Sequence, residues 1–142
     1  MPTIHTPSDN ILVKQSLAPQ QITDNTEGDG IDCQGYEVLL VVVEAGDMGT
    51  GTTTVKLQES SDDGDADAYA DITSATVALA AAGENEPYLI EVNLSERERY
   101  IRAFASETNA DGLVSATFCL MTGRHLPPTQ DNTVVQIGFA RA

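Results

Sequence analysis

At 142 residues the chain is long enough for one domain that buries a core without disulfide or metal staples, and a hydrophobic content of 41% excludes wholesale disorder. Asp and Glu number 22 against 7 Lys and Arg, a formal net charge of −15. Such a surface repels phosphate backbones and anionic head groups, so neither nucleic acid nor a membrane is expected as a partner.

The chain opens Met1-Pro2-Thr3-Ile4-His5, without a basic region leading into an apolar stretch, so no secretory signal is expected. Residues 1–10 read as an extended arm, suited either to fraying or to clasping a partner through Ile4 and His5. Ile11, Val13 and Leu17 alternate with Leu12, Lys14 and Ser16, which predicts a first strand ending before Pro19. Gly28-Asp29-Gly30 marks a turn.

The run Tyr36-Glu37-Val38-Leu39-Leu40-Val41-Val42-Val43-Glu44 is β-branched and apolar on both faces, the pattern of a central strand. Its apolar part, residues 38–43, is far too short to span a bilayer. The glycine-rich residues 46–51 read as a flexible hairpin connection into a half-buried strand carrying Thr53, Val55 and Leu57. After the acidic loop of residues 60–67, residues 69–73 and 76–79 read as short extended segments. Residues 78–82 fit equally a helical turn ended by Gly83.

Tyr88, Ile90, Val92 and Leu94 share one face of the next strand. Ser95-Glu96-Arg97-Glu98 has the spacing of a capping box and predicts a single tight turn. The β pattern resumes at Tyr100 and again where Val114, Ala116, Phe118 and Leu120 line one face. About eight short strands with regular turn signals predict an all-β antiparallel sandwich, jelly roll or barrel over residues 11–125. Beyond it, the Pro127-Pro128 linker stiffens the chain, and Val135, Ile137 and Phe139 alternate as a strand-like arm within residues 126–142. That arm must bury its apolar side on its own domain or, as the outgoing linker favours, on a neighbouring subunit.

No grouping of residues assembles recognisable chemistry. The two histidines, His5 and His125, lie in an arm and at the linker, away from any nucleophile elbow, so no enzymatic activity is expected. Cys33 and Cys119 are far apart and make no metal site; both suit free thiols in a reducing cytoplasm. Asp63, Asp65 and Asp67 alternate like the start of a calcium loop, but Ala68 and Ser74 stand where an EF-hand needs glycine and glutamate. A solvated turn is the plainer reading, with a different kind of calcium site as the alternative, and no cofactor is expected. Arg97, Arg99 and Arg102 concentrate the basic charge; they suit pairing with Glu96 and Glu98, or an intersubunit patch against another copy's acids.

Three stretches carry a resemblance. They are Gly35-Tyr36-Glu37 before the valine-rich strand, Val55-Lys56-Leu57-Gln58-Glu59-Ser60-Ser61-Asp62-Asp63-Gly64, and Arg99-Tyr100-Ile101-Arg102 followed by a late strand and Gly123-Arg124. Through them the chain resembles the cement or decoration proteins on capsids of tailed bacteriophages. The resemblance implies a jelly roll made in the host cytoplasm that gathers as dimers or trimers on the outer capsid surface and ties major capsid proteins together. It implies no catalytic residues. A tail, head–tail joining or receptor-binding virion component is the alternative, with a calcium- or carbohydrate-binding module as another.

Overall fold

The structure, a computed structural model, describes residues 7–80, 85–108, 111–124 and 128–129. Among the described residues nine strands follow a short 3-10 turn at Pro7–Asp9: β1 (Leu12–Ile22), β2 (Thr26–Glu27), β3 (Ile31–Asp32), β4 (Val38–Ala45), β5 (Thr52–Ser60), β6 (Ala70–Ala80), β7 (Pro87–Asn93), β8 (Tyr100–Thr108) and β9 (Gly112–Met121). They form two antiparallel sheets, one ordered β1-β9-β4-β7 and the other β2-β8-β5-β6, with β3 also paired to β8.

The two-residue strands β2 and β3 meet β8 at Ala105 and Phe104 and at Ile101 and Tyr100, so together they act as one interrupted edge strand. Counted that way, eight strands pair first with last, second with seventh, third with sixth and fourth with fifth. This is one long four-rung antiparallel hairpin rolled so that its rungs divide between two sheets, the jelly-roll arrangement. The all-β sandwich expected from the sequence is the fold.

Period-two alternation fills the space between the sheets. Leu39, Val41, Val43 and Ala45 of β4 point inward beside Leu120, Phe118, Ala116 and Val114 of β9. Val55 and Leu57 of β5 with Ile101, Ala103 and Ala105 of β8 close the core from the other side, all of them fully buried.

Several local expectations are corrected. The first strand does not stop before Pro19; it runs to Ile22 with register shifts on either side of Leu17, and Leu12 rather than Val13 points inward. Proline, which has no N–H to donate, is tolerated there because β1 is an edge strand and the register shift between Leu17 and Gln20 leaves Pro19 out of the ladder. Residues 46–51 do not close a hairpin: β4 and β5 lie in different sheets, and the loop crosses between them with Met48 buried beneath it. The extended segments before and after Ser74 are one strand, β6, bulged opposite Leu57 with Ser74 at φ 68°. Residues 78–80 belong to that strand, while residues 81–84 lie outside the described ones. The tight turn after β7 is a 3-10 turn at Leu94–Glu96 capped by Asn93, whose side chain accepts the Ser95 amide, so Ser95 is not the cap.

Candidate interaction surface

A two-layer sandwich has two outer faces, and here they differ in kind. On the five-stranded sheet, one row of side chains is joined across β2, β8, β5 and β6. Arg102 donates to Gln58 at 2.9 Å and to Glu27 at 3.1 Å. Gln58 and Lys56 each donate to Asp71 at 2.8 Å. Lys56 also lies 5.0 Å from the Phe104 ring centre, and the Arg102 guanidinium lies 4.2 Å from that of Tyr69. The donated hydrogen bonds from Lys56 and Gln58 hold the Asp71 carboxyl below its usual range.

The acidic loop folds down onto this face. Tyr69 donates to Asp63, and Gly30 sits so close to both that any β-carbon would collide with them. Asp62 accepts the amides of Asp65, Ala66 and Asp67 at 3.1, 2.8 and 3.1 Å, which lowers its pKa, and Asp67 accepts the Ser61 amide. Asp62 and Asp67 thus hold the turn together through backbone donors, while Asp63 accepts from Tyr69. Ser60, fully buried beneath them, accepts the Gly64 amide. Among the described residues no three His, Cys, Asp or Glu side chains converge as a metal would need.

The arginines pair with acids distant in sequence rather than with Glu96 and Glu98. Arg97 meets Glu59 at 3.3 Å, and Arg99 donates to both oxygens of Asp32 at 3.0 and 2.7 Å. The Arg99 hydrogen bond holds the Asp32 carboxyl down. Arg97 also borders a polar groove of about 340 Å³ between β6 and β7, with Ser74, Asn93 and Glu91 on its rim. The partners were hidden because a sequence window sees neighbours, whereas the roll brings Asp32 onto the strand edge beside Arg99.

The outer face of the four-stranded sheet is apolar instead. Across one row run Val13, Cys119, Leu40 and Glu91; across the next run Gln15, Thr117, Val42 and Leu89. Val38 and Met121 extend the stripe toward one end, and Glu44 beside Ser115 and Pro87 closes the other. Leu89 is 62% exposed and Leu113 47% exposed. A shallow depression of about 340 Å³ at that second end is lined by Pro19, Gln20, Gly46 and Leu113 among others. The valine-rich run is therefore central as expected, and among the described residues no further layer covers its second face. The stripe is contiguous, apolar and framed by polar groups on an otherwise acidic protein.

The two thiols divide along the same lines. Cys33 is buried in the core, where desolvation pushes its pKa up to about 12. Cys119 is free and partly open in the middle of the apolar stripe, its pKa also raised by burial. Of the residues singled out from sequence as interface candidates, Arg97 and Arg99 stand on the other side of the molecule's chemistry, in ion pairs. Ile4, His5, Val135, Ile137 and Phe139 lie outside the described residues. The missed signal was Leu40 and Val42, outward positions of a strand with two apolar faces.

No family model matches the chain, and no curated protein matches it in sequence. Its fold is similar to that of the SPBc2 prophage-derived protein YomS, with a TM-score of 0.53 at 8% identity over 80% of this chain and 94% of that one. It is also similar to the PBSX exported protein XepA, with a TM-score of 0.58 at 18% identity over 97% of this chain. The chain spans 46% of XepA's length.

Proposed function

We propose that this chain is a non-enzymatic structural component of a tailed-phage particle, a cement or decoration protein on the outer capsid surface that ties neighbouring major capsid proteins together. The observation that carries the reading is the open apolar face of the β1-β9-β4-β7 sheet, which gives a single sandwich a broad protein-binding surface. The prophage origin of one structural neighbour, YomS, supports the phage setting. A net charge of −15 favours a protein partner over DNA or a lipid surface, and it keeps an abundant protein soluble. In this reading the chain also contacts copies of itself, as dimers or trimers, through its arms.

A second reading, a tail, head–tail joining or receptor-binding component, is favoured by one observation: XepA is more than twice the length this chain covers, so the sandwich also serves as a module of a longer protein. Copy number separates the two. Quantitative mass spectrometry of purified particles from the source should find hundreds of copies per particle for a cement protein. A handful would favour the tail component, and absence from particles would overturn both.

A further inference from the structure

We propose that the outer face of the four-stranded sheet seats residues 133–142 of a neighbouring copy, with Val135, Ile137 and Phe139 laid over Leu40, Val42 and Cys119. This rests on the proposed self-assembly of the chain and names the surface that receives the arm.

Side-chain chemistry is the first argument. Val135, Ile137 and Phe139 alternate with Gln136 and Gly138, so an extended segment presents one apolar side. Laid flat on a sheet, such a segment points its amides and carbonyls sideways into water while its apolar side chains face the stripe, leaving no buried backbone group unpaired. Charge is the second. The outward ladder positions of the stripe carry Glu44 and Glu91 and no Lys or Arg, whereas Arg141 is the only charged side chain in residues 133–142. Pairing the face with the same face of another copy would instead set glutamate against glutamate.

Reach and direction come third. The Arg124 amide donates to the Gly35 carbonyl at 2.9 Å, fixing where the chain leaves the sheet. The ten residues 125–134 then extend up to about 33 Å, roughly the length of β9, so the arm can cross onto another molecule. The Pro127-Pro128 pair favours an extended backbone by composition, which suits a segment that reaches away from its own sheet.

Cys119 is a built-in reporter. Val135→Cys, Ile137→Cys and Phe139→Cys variants of the full chain, each oxidised and run without reductant, should include at least one disulfide-linked dimer with the bond mapped to Cys119. Cys119→Ser should abolish that bond, and Cys33, 4% exposed, should not substitute for it. Mixing an Ile137→Cys, Cys119→Ser double variant with the unsubstituted chain should give the mixed dimer. A bond to Cys119 within one chain would overturn the assignment by placing the arm on its own sheet. If none of the three variants links to Cys119 although light scattering shows an oligomer, the face is wrong and self-assembly stands. A chain that is monomeric throughout and never cross-links would overturn the assignment together with the self-assembly beneath it.

Discussion

Leu40 lies directly opposite Cys119 at the centre of the four-stranded sheet's outer face, and its chain neighbours Leu39 and Val41 are buried in the core beneath. One residue of register therefore separates two kinds of leucine. Leu39→Ala should cost about 3 kcal/mol, because it opens a cavity among fully buried neighbours. Leu40→Thr should change stability by less than about 1 kcal/mol, since threonine suits a strand and the site is open on one side. Urea denaturation of both variants checks the pair; equal losses would mean that the Leu40 face is covered within the monomer.

Arg102 links three strands of the opposite sheet and one loop through Gln58, Glu27 and the Tyr69 ring, with a side chain only 15% exposed. Arg102→Ala should lower stability by about 2 kcal/mol, largely by leaving the buried Gln58 oxygen without its donor. Arg102→Lys should recover less than half of this, because a single ammonium cannot reproduce the fork. Chemical denaturation gives both values.

How much of this was legible follows from range. β4, β7 and β9 stand out because their inward residues repeat every second position, a pattern that no distant partner is needed to read. Sequence alone stops β1 at Pro19 because the tolerance of proline depends on being an edge, which is a property of the whole sheet. For the same reason residues 46–51 resembled a hairpin: nothing local says that β4 and β5 belong to different layers. The ion pair of Arg99 with Asp32 spans 67 positions of sequence, so the nearer Glu96 and Glu98 looked like the partners. The apolar face was visible as residues but not as a surface. Two apolar faces imply two coverings, and only the fold shows that the described residues supply one of them.

Acid should weaken the fold in a defined window. Asp32, Asp62 and Asp71 are each held below the ordinary carboxylate range in the folded chain, by Arg99, by loop amides, and by Lys56 with Gln58 respectively. A carboxyl whose folded pKa is depressed stabilises the fold above its unfolded value, and that contribution is lost as pH falls through the folded one. These three therefore contribute fully at neutral pH and fade below about pH 4. Asp71→Asn should flatten the acid limb of a Tm-against-pH curve; a limb unchanged in slope would exclude Asp71 from it.

Thr53 presents the opposite situation. Its hydroxyl is fully buried and has no hydrogen-bond partner among the described residues, close to where Gly112 passes. Thr53→Val keeps the shape and removes a desolvated polar atom, so it should raise stability by about 1 kcal/mol in thermal or urea unfolding. A loss of similar size would mean that the hydroxyl is satisfied in solution.

The central claim is that this sandwich is a phage particle component whose assembly onto the particle depends on the outer face of its four-stranded sheet. Its most direct measurement is the amount of protein retained on purified particles, by quantitative mass spectrometry, for the unsubstituted chain and for Leu40→Lys with its fold verified by circular dichroism. The account predicts hundreds of copies of the former and at least a tenfold loss for the latter. Equal retention of both, or absence of the unsubstituted chain from particles, would contradict it.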